Sequence, residues 1–285
     1  MKNLPGELFA ALQRLLPQHS LSRLIAKLAD SETPWLKRWL IERFVAAYGI
    51  NVEEALEQDL DKYASFNAFF TRQLQAEARP LDSASNTITS PADGAISQIG
   101  YLQGDQLIQA KGKTFSANTL LGCEQDANLF EQGAFTTIYL SPKDYHRVHM
   151  PVDGQLLHSR YIPGHLFSVN KATTTHIPGL FARNERLVCL FQTPAGKVAI
   201  VLVGAMLVAG IGTVWQGQYA PNPRTVVEQT FDGETEVVLS KGDELGHFNF
   251  GSTVIMLFEK DAMHWHQQLG QGEEVKMGEA LGLTA

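Results

Sequence analysis

The 285-residue chain has little cysteine: Cys123 and Cys189 stand alone, with no clustered ligands around either. That scarcity excludes a disulfide framework and a thiolate zinc site, and both thiols read as structural. Long apolar runs are also missing. The longest, Val198 to Ile211, has 14 residues interrupted by Gly204 and Gly210. A membrane-spanning helix needs roughly 20, so this run predicts buried strands and a chain that is not transmembrane. The first residues lack the apolar core and small-residue cleavage site of a secretory signal. Basic charge is short overall: 23 Lys and Arg against 30 Asp and Glu give a net −7. This excludes a general nucleic-acid binder, which needs clustered cations to neutralise phosphates.

The basic residues that are present are concentrated at one end. Between Met1 and Tyr48 there are seven of them against four acidic ones. The same segment carries helical stripes: Leu8, Leu12, Leu15 and Leu16; then Leu21, Leu24, Ile25 and Leu28; then Leu36, Trp39 and Leu40. Ser20 and Thr33-Pro34 suit the starts of the second and third helices. A further capped helix is expected from Asn51, with Glu54 reciprocating the cap. A basic amphipathic segment with Trp35 and Trp39 suits an anionic membrane surface, and equally suits helices packed on a larger body.

After Pro80 the pattern changes to short β-type runs at 136–140, 186–191, 197–203, 235–240 and 252–258, separated by Gly, Pro, Asp and Asn. Helix is expected only at Ala117 to Leu121 and near Met263 to Leu269. The fold class is therefore α+β, with a helical N-terminal region over 1–80 and a β-rich body over 81–285. Pro91-Ala92-Asp93-Gly94 and Pro151-Val152-Asp153-Gly154 form a faint internal echo, two Pro-x-Asp-Gly turns each entering a strand.

Two segments carry candidate chemistry. Phe248-Asn249-Phe250-Gly251-Ser252-Thr253 runs into a β-forming stretch, and alone would be an ordinary turn. Tyr145-His146-Arg147-Val148-His149-Met150-Pro151 concentrates two of nine histidines. Their spacing also admits a metal pair, but no neighbouring Cys, Asp or Glu completes a ligand set, so no metal is expected.

Taken in order, several segments resemble the phosphatidylserine decarboxylase family. Phe66-Asn67-Ala68-Phe69-Phe70-Thr71-Arg72 is similar to its Phe-x-x-Phe-Phe-x-Arg block. Ser90-Pro91-Ala92-Asp93-Gly94 is similar to its aspartate turn, and Lys111 to Ser116 to a Lys-Gly block. The histidine block, Leu166-Phe167-Ser168-Val169-Asn170, Leu180 to Arg186 and Gly251-Ser252-Thr253 complete the series from about Ser65 to Phe258. One departure is Phe250, where the family's cleavage motif most often has Leu.

The resemblance implies a self-processing proenzyme. Ser252 would attack the Gly251 carbonyl, with His149 as general base and Asp93 orienting its imidazole. Elimination would leave a large chain, 1–251, and a small chain, 252–285, blocked by a pyruvoyl group derived from Ser252. That ketone would form a Schiff base with phosphatidylserine and accept electrons as CO2 leaves, giving phosphatidylethanolamine. The resemblance assigns His146 as proton donor, with a pKa expected near the working pH, and Leu166, Phe167 and Ser168 to the substrate pocket. The Arg183-Asn184-Glu185-Arg186 run is read equally as part of the site or as a solvated turn. Implied partners are phosphatidylserine in an anionic membrane and the two chains of one precursor; a homodimer is compatible with this. The implied location is peripheral, on the cytoplasmic face of the cell membrane. Competing uses of the same residues are a serine hydrolase, a non-catalytic membrane or carrier module, and a pyruvoyl enzyme for a soluble amino acid.

Overall fold

The computed structural model describes residues 6–15, 17–206, 210–219, 225–249 and 252–285. The chain opens with α1 (Gly6–Leu15), α2 (Gln18–Ala29) and α3 (Pro34–Tyr48). Pro34 occupies the first turn of α3, where a missing N–H costs nothing. Gly49 ends that helix at φ 65°, its N–H donating to the Val45 carbonyl. The second helix starts at Gln18, after Pro17, rather than at Ser20. No full helix follows Asn51. Its side chain caps a single turn, Val52–Glu54, and one oxygen of the Glu54 carboxylate pairs instead with Arg79. Helices α2 and α3 share a small core with the short Phe66–Phe70 helix, built on Ala29, Ile41, Phe66, Phe69 and Phe70.

The remainder is an α+β body dominated by antiparallel strands. Its main sheet runs in the order Val227–Thr230, Gly154–Ile162, Arg186–Thr193, Gly196–Val203, Ser252–Phe258, Ala134–Leu140, Gly94–Tyr101, Glu274–Val275, with Val238–Leu239 also on Gly154–Ile162. Ser252–Phe258 lies at the centre and is buried at every position. A strand with sheet on both edges and core on both faces must be continuously apolar, which is why Val254 to Phe258 shows no alternation. A second sheet holds Gly217–Tyr219, Ile211–Thr213, Glu244–Phe248 and Arg147–His149, and a third holds Thr87–Thr89, Ala280–Thr284 and Met263–Trp265.

The main β runs fall where the pattern puts them, and the two ends of the 14-residue apolar run lie in strands. Two expectations fail. Met263–Trp265 is a strand paired with Ala280–Thr284, because so short an apolar stretch fits either period. Of 235–240 only Val238–Leu239 is strand, since Gly233–Thr235 closes a 3-10 turn. The short helices Glu124–Asn128, Lys171–His176 and Leu180–Arg183 had no sequence signal long enough to read. Both cysteines are free thiols. Among the described residues no helix is long and apolar enough to cross a membrane.

Candidate functional site

The chain leaves the second sheet at Phe248 and enters the main sheet at Ser252. Phe250 and Gly251 lie outside the described residues, so the Gly251–Ser252 bond is located by its flanks. Both flanks touch the histidine segment. Ser252 pairs with Leu140, which leads into it, and the Phe248 N–H donates to the His146 carbonyl at 3.0 Å. Residues 141–146 thus join the main sheet to the second sheet beside Phe248 and Ser252.

The two Pro-x-Asp-Gly turns build the rest of the site and turn the faint echo into a structural repeat. They face each other through two backbone hydrogen bonds, His149 N–H to Pro91 O at 2.7 Å and Thr89 N–H to Pro151 O at 3.0 Å. Each is clamped by a later turn of matching sequence, Lys241-Gly242-Asp243 or Met277-Gly278-Glu279. Gly242 N–H donates to Met150 O and Gly278 N–H to Ser90 O; Met150 N–H and Ser90 N–H return the bond to Asp243 O and Glu279 O. The aspartates are equivalent too: Asp153 accepts from Lys241 N–H at 2.7 Å and Asp93 from Met277 N–H at 2.9 Å. Gly94 is required where the first turn meets the main sheet, because a Cβ there would lie 2.4 Å from the Tyr139 carbonyl oxygen.

Asp93 is buried, and its main partner is Arg79. The Arg79 Nε donates to both carboxylate oxygens at 2.9 Å and Nη2 to Oδ2 at 2.6 Å, while Nη2 also reaches Glu54 at 2.9 Å. Burial works to lower the Arg79 pKa, but these two carboxylates outweigh it and hold the guanidinium above its ordinary value. The imidazole of His149 is oriented by other groups. Its Nδ1 faces the Gly242 carbonyl at 2.8 Å, which can only accept, so Nδ1 carries the proton. Its Nε2 then accepts from the Tyr145 hydroxyl at 3.1 Å. The hydrogen-bond partner of His149 Nδ1 is thus the Gly242 backbone carbonyl. Asp93 acts on the imidazole through its charge. Burial lowers the His149 pKa, the Gly242 hydrogen bond and the Glu244 charge oppose it, and the Asp93 charge adds to that opposition.

His146 differs. It is fully buried, its Nδ1–H donates to Asp144 O at 2.7 Å, its ring lies 4.2 Å from that of Phe70, and its Nε2 has no hydrogen-bond partner. Burial, with a smaller contribution from the Arg72 charge, drives its pKa down to about 3. The expected value near the working pH does not hold, because no carboxylate compensates the lost solvation. Among the described residues the Ser252 Oγ and Thr253 Oγ1 are likewise buried without partners. An unsatisfied buried hydroxyl costs about 1–3 kcal/mol, so these two are a standing expense.

Leu166, Phe167 and Ser168 sit apart from this cluster. Leu166 N–H and Ser168 N–H donate to Gln18 and Gln13 of the N-terminal helices, at 2.8 and 2.9 Å. Phe167 lines a cavity of about 530 Å3 with His19, His165 and Arg183. Among the described residues Asn184 links them towards Ser252, its Nδ2 donating to Phe167 O and to Gly204 O, just beyond Val203, the partner of Thr253, and Phe167 shares a core cluster with Val203 and Ile255. The Arg183 to Arg186 run is not a solvated turn: Asn184, Glu185 and Arg186 are buried, and Arg186 donates to the carbonyls of Thr119, Leu120 and Asn184. Sequence reasoning missed Arg79 and Tyr145 as site residues. Tyr145 lay inside the histidine block, but an isolated arginine before Pro80 gave no signal.

The fold and site together define an α+β protein in which the histidine segment packs on the Asp93 turn and borders, through Leu140 and the His146 carbonyl, the strands that flank residues 249–251. A family model described as "Phosphatidylserine decarboxylase" matches residues 66–283, and one described as "PSD" matches residues 8–49. A protein of Alcanivorax borkumensis is 51% identical over 98% of this chain and 97% of its own length. Another, from Acinetobacter baylyi, is 53% identical over 98% and 96%, and one from Saccharophagus degradans 49% over 96% of each. All three are named "Phosphatidylserine decarboxylase proenzyme". The chain belongs to the phosphatidylserine decarboxylase family.

Proposed function

We propose that this protein is a phosphatidylserine decarboxylase proenzyme that matures by cleaving its own Gly251–Ser252 bond. The observation that carries this reading is the Ser252 hydroxyl, fully buried, without a partner among the described residues and at the start of the central strand. Ser252 Oγ attacks the Gly251 carbonyl and displaces the Ser252 nitrogen, turning the amide into an ester; β-elimination then releases the Gly251 carboxylate and leaves dehydroalanine at 252, which water hydrolyses to pyruvoyl with loss of ammonia. A serine hydroxyl needs a base at neutral pH, and His149 serves once its Nε2 is released by Tyr145. The neighbouring charge of Asp93 stabilises the imidazolium that forms, and the Gly242 carbonyl holds the ring in place throughout. The product chains are 1–251 and 252–285.

The pyruvoyl group left at 252 supplies the electron sink for loss of CO2 from phosphatidylserine. His146 handles the proton: its ring is fixed by the Nδ1–H bond to Asp144 O, so Nε2 is the nitrogen that takes the proton and delivers it to the carbon that CO2 has left. Its low dielectric surroundings also exclude water from competing for that carbon.

The N-terminal helices provide the approach to a bilayer. Trp35 and Trp39 are 72% and 52% exposed, and an apolar groove of about 410 Å3 between α2 and α3 is lined by Ile25, Leu28, Trp39, Leu40 and Phe44. Arg23, Lys27 and Arg43 lie on the same two helices. Apolar insertion combined with basic charge is the pattern of a peripheral membrane protein, here on the anionic cytoplasmic leaflet.

Incubating the purified protein with phosphatidylserine vesicles tests the function directly. Phosphatidylethanolamine and CO2 should form in equal amounts, and the Ser252→Ala chain should form neither. Trp35→Ser/Trp39→Ser should bind anionic vesicles about tenfold or more weakly, given about 1.5–3 kcal/mol for burying a large apolar side chain. Hydrolysis of the lipid in place of decarboxylation would establish the serine-hydrolase alternative.

A further inference from the structure

Arg72 closes the Phe-x-x-Phe-Phe-x-Arg block and has no part in the chemistry above. It is 6% exposed, with its guanidinium stacked over the Phe69 ring at 5.1 Å. Among the described residues no acceptor pairs with that guanidinium, and its Nε is enclosed without a partner. Other buried arginines are satisfied: Arg79 by Asp93 and Glu54, Arg160 by Asp126 and Glu228, Arg186 by three carbonyls. A buried cation without an acceptor is strongly unfavourable, so a ligand is the natural partner.

Arg72 lines a cavity of about 270 Å3 with Arg79, Asp93, Tyr145 and Lys276. The carboxylates in its walls already have partners: Asp93 and Glu54 share Arg79, Glu274 takes Lys143, Asp144 accepts from the N–H and hydroxyl of Ser141, and Glu279 accepts from the Lys276 N–H. The cavity shares Asp93 and Tyr145 with the candidate site, and the Arg72 charge is felt at His146.

We propose that Arg72 is the anchor for a phosphate oxyanion, specifically the phosphodiester of the substrate headgroup. This rests on the function proposed above. Phosphatidylserine offers two anions to a guanidinium fork, and both suit its geometry. The carboxylate is the group that leaves as CO2. A salt bridge to it would stabilise the ground state and be lost in the transition state, slowing the reaction. The phosphodiester keeps its charge from substrate to product, so binding it positions the headgroup without opposing the chemistry.

Titration calorimetry on the full Ser252→Ala chain separates binding from catalysis. Glycerophosphoethanolamine should bind, and adding Arg72→Met should weaken it about tenfold or more, since hydrogen bonds to charged groups contribute about 1.5–3 kcal/mol. Arg72→Lys, a point charge in place of a fork, should lose a smaller part of that affinity. It carries the test if the methionine variant unfolds, and an affinity unchanged in Arg72→Lys would then overturn the proposal. Unchanged affinity in a folded Arg72→Met chain would overturn it, as would loss of free serine binding instead. Inorganic phosphate binding as tightly as glycerophosphoethanolamine would make this a free-phosphate site and overturn the headgroup assignment. With Ser252 intact, Arg72→Met should still mature, raise KM for phosphatidylserine about tenfold and leave kcat within about threefold. A failure to mature would place Arg72 in processing and overturn its role as anchor. A wild-type protein that binds glycerophosphoethanolamine but never decarboxylates would sink the proposed function while leaving the anion site standing.

Discussion

The two sides of the candidate site are built on opposite principles. On one side, Asp93 accepts three hydrogen bonds from Arg79 and a fourth from Met277 N–H, and both nitrogens of His149 are engaged. On the other, the Ser252 and Thr253 hydroxyls and the His146 Nε2 are buried with no partner among the described residues. The first side is a hydrogen-bonded scaffold fixed by the paired Pro-x-Asp-Gly turns. The second holds its polar groups at an energetic cost.

The sharpest break in that comparison lies between two adjacent hydroxyls. Ser252→Ala should abolish maturation altogether, whereas Thr253→Val should leave it intact, although both hydroxyls are equally buried and unpaired. A Thr253→Val chain that fails to cleave would place the Thr253 hydroxyl in processing beside that of Ser252.

Next in size is the division between the histidines. His149→Ala should slow maturation by about 10^2–10^4-fold, the usual range for a lost general base. His146→Ala should still yield two chains on a denaturing gel but lose decarboxylation by a comparable factor. Reversed phenotypes would exchange the two roles.

The saturated side should show itself in stability. Arg79→Met leaves the Asp93 carboxylate with only the Met277 N–H and should cost about 3–5 kcal/mol in denaturant unfolding. Glu54→Gln touches the same guanidinium from a side chain that is 31% exposed, and should cost under about 1 kcal/mol. Equal losses would show that Arg79 serves both carboxylates alike.

The smallest effect is a slope. His146 has a folded pKa of about 3 against an ordinary value of 6.5. Between those limits the unfolded chain holds a proton that the folded chain does not, so stability falls as pH falls through this window. The contribution is about 1.4 kcal/mol per pH unit. His146→Gln should flatten the acid limb of a stability-against-pH curve by that amount; parallel limbs in variant and wild type would show that the imidazole is not desolvated.

Much of this could be read in the sequence, for identifiable reasons. Ser252–Phe258 is a continuous β-forming run and emerged with its observed bounds, and Thr33-Pro34 marks the start of α3 by local chemistry alone. The Pro-x-Asp-Gly echo was visible too, but what makes it a repeat is the pair of Gly-Asp and Gly-Glu turns some 90 to 190 residues later. Partners that far apart leave no local period to detect. The same holds for Arg79 and for the Gly242 carbonyl, a backbone atom with no residue-type signature. His146 was legible as a candidate, but its depressed pKa was not, since that depends on how completely the fold encloses it.

An intact-mass measurement on the purified wild-type protein tests the central claim most directly. The account requires two chains, the smaller beginning at position 252 with a pyruvoyl group in place of serine and ending at Ala285. A single uncleaved chain with full decarboxylase activity, or a small chain that still carries an unmodified serine, would contradict it.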